Sequence, residues 1–465
     1  MDVLGIVLSL FLLMFFAYRG YSVILFSPIF ALLAASLQGL PIMPAYTELF
    51  MGKAVVFVKS FFPVFMLSAI FGKVMEDTGL AKSIAQKIVQ SFGKERAILA
   101  VVTACVVLTY GGVSLFVVVF AIYPFAAALF REANIPKRLL PGTIALGSFT
   151  ITMDALPGTP QIQNIIPTSY FGTTGFAAPV MGIIGGLFTI AISLMWLNYR
   201  HKQAKAAGEG YGEGHTNEPI LQEDGESVNW MLALLPLLTV LVVNYAMTNL
   251  YTWNPALLDP FKDMKLALAA TDVKKVISIW SLIIAVASGI ILALAIGGRR
   301  LAPGGLPKAL NAGAVGSLLA IMNTASEVGY GNVISSLPGF KHISSALLNL
   351  KIGASPLFSE AISVTTLAGI TGSASGGMSI ALELMGKDWL AWAHSIGMSP
   401  EILHRVASLA SGGMDTLPHN GAVITLLAVC GLTHRQSYGD IAVITVTKTA
   451  AVFVVIILHL MTGIL

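Results

Sequence analysis

Four short groups of residues in this 465-residue chain combine ionisable or amide side chains with residues that break helices. Two carry an aspartate: Asp154-Ala155-Leu156-Pro157-Gly158-Thr159-Pro160-Gln161 and Asp415-Thr416-Leu417-Pro418-His419-Asn420-Gly421. The other two are small-residue turns, Tyr110-Gly111-Gly112-Val113-Ser114 and Gly372-Ser373-Ala374-Ser375-Gly376-Gly377. Proline inside an apolar run removes a backbone donor and breaks the helix, leaving free N–H groups at one end and free C=O groups at the other. A helix N-terminus of that kind favours an anion such as a carboxylate. Gly112, Ser114, Thr159, Gln161, Asn164, Ser373, Ser375, His419 and Asn420 are therefore candidate contacts for a hydroxylated, carboxylated solute; the alternative use of such small polar groups is helix packing.

Ionisable groups inside apolar segments are costly and point to function. Asp154, Asp415, Glu327, Glu360 and His419 are the candidates for coupling transport to protons, and Lys59 and Lys448 also fall in apolar runs. Each aspartate has a second reading, since an Asp ahead of a Pro can cap the following half-helix. His419 has no counterpart in the first group, where Gly158 stands opposite, and imidazole titrates where proton exchange needs it. Lys448 either pairs with an acid or extends along its helix toward the surface.

The elements that must position these groups are apolar helices. Hydrophobic residues make up 56% of the chain and charged residues 11%, with a mean hydropathy of +0.81. That leaves too few polar side chains to coat a water-facing surface. A crossing of the hydrocarbon core takes about 20 apolar residues. Spans are predicted over 3–18, 21–38, 54–75, 138–166 with a break, 178–198, 229–249, 275–297, 312–335, 401–430 with a break and 438–464. The stretches 97–130 and 355–386 are too long for one span and are interrupted by small residues, so each reads as a re-entrant helical hairpin. Val3 to Tyr18 resembles a signal peptide but lacks a basic start and a cleavage site, and reads as a retained first helix.

Asp154 and Asp415 lie 261 residues apart, as do Gly111 and Gly372, and Ser114 and Ser375. Met153-Asp154-Ala155-Leu156-Pro157 matches Met414-Asp415-Thr416-Leu417-Pro418 at that offset. The expected organisation is a first half, 1–198, a flexible cytoplasmic linker, 199–228, and a second half, 229–465. Placing most basic clusters on the cytoplasmic side puts both termini outside and the two hairpins on opposite sides, so the repeats are inverted. Lys262 to Lys275 run against that assignment. The fold class is thus all-α, polytopic, with about 10–11 spans in a bacterial inner membrane. The two cysteines, Cys105 and Cys430, lack ligand spacing; no metal or cofactor is expected, and the dispersed charge of +4 gives no basis for nucleic-acid binding.

At these motifs the sequence resembles the gluconate:proton symporter (GntP) family. The resemblance covers nearly the whole chain and rests on Gly111 to Ser114, Asp154 to Gly158, Ala325-Ser326-Glu327-Val328-Gly329-Tyr330-Gly331, and Asp415 to Gly421. The Glu327 segment and the second break are similar to the branch that carries 3-hydroxybutyrate, while Val-Ser at the first tip departs from gluconate carriers. The resemblance implies a permease for a small monocarboxylate such as 3-hydroxybutyrate or gluconate, carried with protons. Resemblance to the wider ion-transporter superfamily also implies a homodimer with a static scaffold and an elevator-like transport domain containing both hairpins. A monoanion moving with one proton is electroneutral, whereas each uncompensated charge is worth about 2.3 kcal/mol per 100 mV. Sodium coupling, or sodium/proton antiport, remains the alternative. An intramembrane aspartyl enzyme using Asp154 and Asp415 is the remote one, because Ser437-Tyr438-Gly439-Asp440 matches a protease motif poorly. A channel would require a repeated filter, and none is found.

Overall fold

The computed structural model describes every residue except 1, 20, 114, 216–217, 219–227, 263, 265–271, 302, 343–354 and 419. Among the described residues the secondary structure is helical and contains no strand. The principal helices are α1 (Asp2–Tyr18), α2 (Val23–Leu37), α3 (Ile42–Asp77), α4 (Leu80–Phe92), α5 (Ala97–Tyr110) and α6 (Leu115–Glu132). Next come α7 (Leu140–Ser148), α8 (Ile151–Asp154), α9 (Ile162–Phe171), α10 (Pro179–Ala206), α11 (Trp230–Leu250) and α12 (Ile277–Gly297). The chain ends with α13 (Gly305–Ser336), α14 (Leu357–Thr371), α15 (Ala374–Ser395), α16 (Pro400–Ser411), α17 (Gly421–Cys430) and α18 (His434–Thr462). Six helices among the described residues are long and apolar enough to cross a membrane, and α2 and α17 are shorter apolar ones.

Most expected spans coincide with helices, and the differences have local causes. The span expected at 54–75 starts earlier, at Ile42, because Pro44 sits in the first turn, where a missing N–H costs nothing. The second hairpin runs to Ser395 rather than 386, its last turns shielded by Trp389, whose indole donates to Ser359 Oγ at 3.2 Å. α4 was unassigned by hydropathy, since it is amphipathic and buries only one face. The stretch expected as a linker from 199 begins as helix: α10 continues through Arg200, Lys202 and Lys205 to Ala206. Beyond it, Glu209 receives a two-pronged bond from Arg138 at 2.7 and 2.8 Å, and Tyr211 N–H donates to Asn134 at 3.0 Å. Glu218 takes Lys137 at 2.8 Å. This first part of the connection is thus strapped against the turn between α6 and α7.

Helices α1, α2, α3, α11, α12 and α13 pack largely on one another, while the hairpins α5–α6 and α14–α15 and the broken segments α7–α9 and α16–α17 gather with α10 and α18. Small residues allow the closest crossings: a β-carbon at Gly313 of α13 would meet the backbone of Ile70 in α3. Buried hydroxyls tie α1 and α2 to α13, with Ser9 on Tyr330 at 3.0 Å and Ser27 donating to Ser326 O at 2.8 Å. Element order recurs across the two halves at close to the 261-residue offset. α5, α6, α9 and α10 answer to α14, α15, α17 and α18, and α3 answers to α13.

Candidate substrate site at two helix breaks

Both aspartate motifs interrupt helices. α8 stops at Asp154 and α9 starts at Ile162; α16 stops at Ser411 and α17 starts at Gly421. Gly158 adopts φ +76°, which carries the chain through the first break. Breaking a helix in a hydrocarbon core strands its carbonyls, and each one needs a donor from the protein. In the first break, Thr152 O accepts from Thr159 Oγ1, Asp154 O from Ser408 Oγ at 2.7 Å, and Pro157 O from Tyr110 Oη at 2.8 Å. Ala155 O accepts from Arg405 Nη1 at 3.0 Å. The second break is sealed in the same manner. Gly413 O takes Thr449 at 2.9 Å, Thr416 O takes Tyr438 at 3.1 Å, and Pro418 O takes His434 at 2.8 Å.

The half-helix N-termini differ. Asn420 caps α17, its Oδ1 accepting from Ala422 N at 2.6 Å and Val423 N at 3.2 Å. Its amide also donates to Gly372 O at 2.7 Å, which fastens the second hairpin tip to the second break. Gln161 holds the equivalent place before α9 but caps nothing. Its Nε2 donates to Thr109 O at 2.9 Å, fastening the first hairpin tip to the first break. The N–H groups of α9 therefore have no side-chain acceptor of their own.

Neither aspartate caps a helix, so the capping expectation is corrected. Both carboxylates turn instead to one lysine. Lys448, midway along α18 and 4% exposed, places Nζ 2.8 Å from Asp415 Oδ1, 3.8 Å from Asp154 Oδ2 and 2.7 Å from Phe149 O. A cap would need the carboxylate to turn toward its own following N–H groups; a buried cation nearby outbids that. Gly412 makes the approach of the two breaks feasible, because a β-carbon there would overlap Asp154 Oδ2 and press on Lys448 Cε.

The other candidates divide into three groups. Gly112, at φ +98°, forms the first tip against Pro160, and Ser373 caps α15 by accepting from Gly376 N at 3.1 Å. Ser375 lies 3.3 Å from Thr324 Oγ1, on the face of α13 that also carries Glu327. Glu327 packs against the second tip so tightly that a β-carbon at Gly376 would overlap its carboxylate. Thr159 and Asn164 are instead consumed within the fold. Asn164 donates to Thr159 O at 2.9 Å and Gly175 O at 2.8 Å, and it accepts from Arg405 at 3.1 Å. Glu360 is fully buried at the far end of α14, away from the tip, and Lys59 is exposed on α3. Ser114 and His419 lie outside the described residues.

Two groups escaped notice in the sequence. Arg405, fully buried in α16, donates from Nε and Nη2 to Ala177 O at 3.0 and 2.7 Å, besides Ala155 O and Asn164. His404 Nδ1 lies 2.6 Å from Thr173 Oγ1. Their placement between Leu403 and Val406 in an apolar run was the available signal.

The arrangement joins two hairpin tips, two helix breaks and four buried charges in one continuous polar layer. Among the described residues no cluster of three or more His, Cys, Asp or Glu side chains could hold a metal ion there. The chain is similar along 100% of both lengths to an uncharacterized transporter, YxjC, of Bacillus subtilis (strain 168), with 51% identity over 474 residues. Its structure is similar to that of the Alcanivorax borkumensis YdaH transporter, with a TM-score of 0.60 and 14% identity over 95% of this chain and 97% of that one. It is also similar to Neisseria gonorrhoeae MtrF, described as illuminating a class of antimetabolite efflux pumps, with a TM-score of 0.57 and 12% identity over 94% of each chain. At such identities the likeness is one of fold. The 51%-identical relative is a transporter, which removes the enzymatic alternative and agrees with a multi-pass membrane protein. The sequence profile described as GntP family permease matches residues 1–374, and the chain belongs to that family.

Proposed function

We propose that this permease imports a short monocarboxylate, such as 3-hydroxybutyrate or gluconate, together with protons, by alternating access. The observation that carries the reading is the uncapped N-terminus of α9, fastened to the first hairpin tip by Gln161 and opened by the same helix break that carries Asp154 of the buried Asp154–Lys448–Asp415 cluster. Free N–H groups in a low-dielectric setting favour a carboxylate, and the macrodipole of the half-helix adds to that preference. Gly112, Gln161, Ser373 and Ser375 line the tips that would close over the solute, with Ser114 and His419 as further candidates. Thr159, Asn164 and Asn420 support the surrounding backbone.

Protons are favoured over sodium because several tip and break carbonyls each already accept a side-chain donor, which weakens them as ligands for a metal ion. Gly372 O and Thr109 O at the tips, and the freed carbonyls at both breaks, accept from side chains. The matched element order of the halves supports inverted repeats on either side of the midplane, with the linker cytoplasmic and both termini outside. The separation of α1–α3 and α11–α13 from the hairpin-bearing bundle supports a scaffold and an elevator-like transport domain, with the scaffold mediating a homodimer. Uptake of labelled 3-hydroxybutyrate or gluconate into proteoliposomes under an imposed proton gradient tests the reading. Accumulation that needs a sodium gradient would overturn the choice of ion, and no uptake of either acid under any gradient would overturn the substrate class.

A further inference from the structure

Charge balance inside the bundle separates the buried acids into two kinds. Asp154, Asp415, Lys448 and Arg405 are each at least nine-tenths buried and sum to zero when all are ionised. A group of no net charge, with both carboxylates turned to Lys448 and the Arg405 guanidinium held by carbonyl oxygens, has little reason to take up another charge. Glu327 and Glu360 are also buried, but no lysine or arginine among the described residues lies within ion-pair reach of either. Glu327 Oε2 and both oxygens of Glu360 have no hydrogen-bond partner among the described residues. An isolated carboxylate at such depth is stable only when it binds a proton.

The two glutamates differ in access. Glu360 lies 12 residues before Gly372, about 18 Å along α14 from the tip, in the first turn of that helix. Glu327 sits on α13 against Gly376 in the first turn of α15, beside the Thr324–Ser375 contact, where movement of the second hairpin would uncover it. Other charged groups on the elements around it are spoken for or turned away. On α3, Lys53 pairs with Glu383 of α15 at 3.0 Å, Lys73 pairs with Asp77 at 2.7 Å and Glu76 at 3.3 Å, and Glu48 and Lys59 are exposed. On α15, Lys387, Asp388 and His394 are exposed, as is Lys308 on α13 itself, and α2 carries no ionisable side chain.

We infer that Glu327 is the residue that binds and releases the transported proton, while Asp154, Asp415, Lys448 and Arg405 form a charge-balanced strut that holds the two helix breaks together. The inference rests on the proposed proton-coupled uptake. A proton from one side forms an O–H bond on the Glu327 carboxyl, which stays on the static α13 while the bound carboxylate is carried past it, and leaves to water on the other side. One proton and one anion move together, and the protein returns unchanged. Opening of the second hairpin from the glutamate governs both transfers.

Reconstituted wild type and Glu327→Gln are compared in two assays: accumulation driven by an inward proton gradient, and exchange of labelled for unlabelled acid without a gradient. Glu327→Gln is expected to lose gradient-driven accumulation and the pH dependence of uptake while exchange persists, and Glu360→Gln is expected to keep both. Retained gradient-driven accumulation in Glu327→Gln would overturn the inference, and so would loss of exchange together with accumulation. The uncoupled pattern in Asp154→Asn, with Glu327→Gln unaffected, would overturn it too. If wild type itself neither accumulates nor exchanges the acid, it is the proposed function that fails.

Discussion

Replacing Lys448 with methionine tests the strut most directly. The substitution keeps the apolar stem and removes a buried cation that lies 2.8 Å from Asp415 Oδ1 and 3.8 Å from Asp154 Oδ2. At an effective dielectric of about 20, those separations correspond to roughly 6 and roughly 4 kcal/mol of attraction before the cost of desolvation. Desolvation offsets most of this, and breaking a buried pair typically costs about 3–5 kcal/mol because the partner charge is left uncompensated. Two carboxylates are orphaned here and Arg405 balances only one, so the upper end of that range is expected. Lys448→Met/Asp415→Asn restores neutrality and should recover at least half of the loss, the missing donor to Phe149 O accounting for about 1 kcal/mol of the remainder. Unfolding titrations of wild type, both single variants and the double variant complete a double-mutant cycle. A Lys448→Met protein as stable as wild type, or a double variant that merely adds the two single losses, would refute the argument.

Three further outcomes follow from the same geometry. Arg405→Met strips donors from Ala155 O, Ala177 O and Asn164, and at about 1–3 kcal/mol per orphaned buried group should yield protein that aggregates in size-exclusion chromatography. Gly376→Ala drives a methyl group onto the Glu327 carboxyl, so the second hairpin cannot seat and transport should fall in the vesicle assay, whereas Gly421→Ala, with open space around it, should transport normally. The third concerns the strap after α10. The Arg138 side chain bonded to Glu209 holds that carboxyl below its usual range, so the contact is intact at neutral pH and lost as pH falls through the depressed value. Surface ion pairs contribute about 1 kcal/mol at most, so protease cleavage near 209 should rise up to about fivefold in acid or in about 1 M salt. Arg138→Gln should be cleaved quickly under all conditions.

The helices, both hairpins and both breaks were legible because each rests on local composition. Apolar length specifies a membrane helix, and glycine and proline interrupt it at residues 111–112, 157–160, 372–373 and 418. The amphipathic α4 and the helical start of the linker were not legible. Their polar residues face outward or engage neighbours far away in the chain, as Arg200 engages Asp440. The two aspartates show where the roles part. Sequence alone marks Asp154 and Asp415 as costly buried acids in matching breaks and allows either capping or coupling. Only the packing of α18 between the breaks shows that neither serves as a cap, by bringing Lys448 to both carboxylates from sites 294 and 33 residues away. Arg405 and Glu327 follow the same rule, since whether a buried charge is balanced depends on which side chains the fold brings within a few ångströms. Spacing along the chain carries no record of that distance.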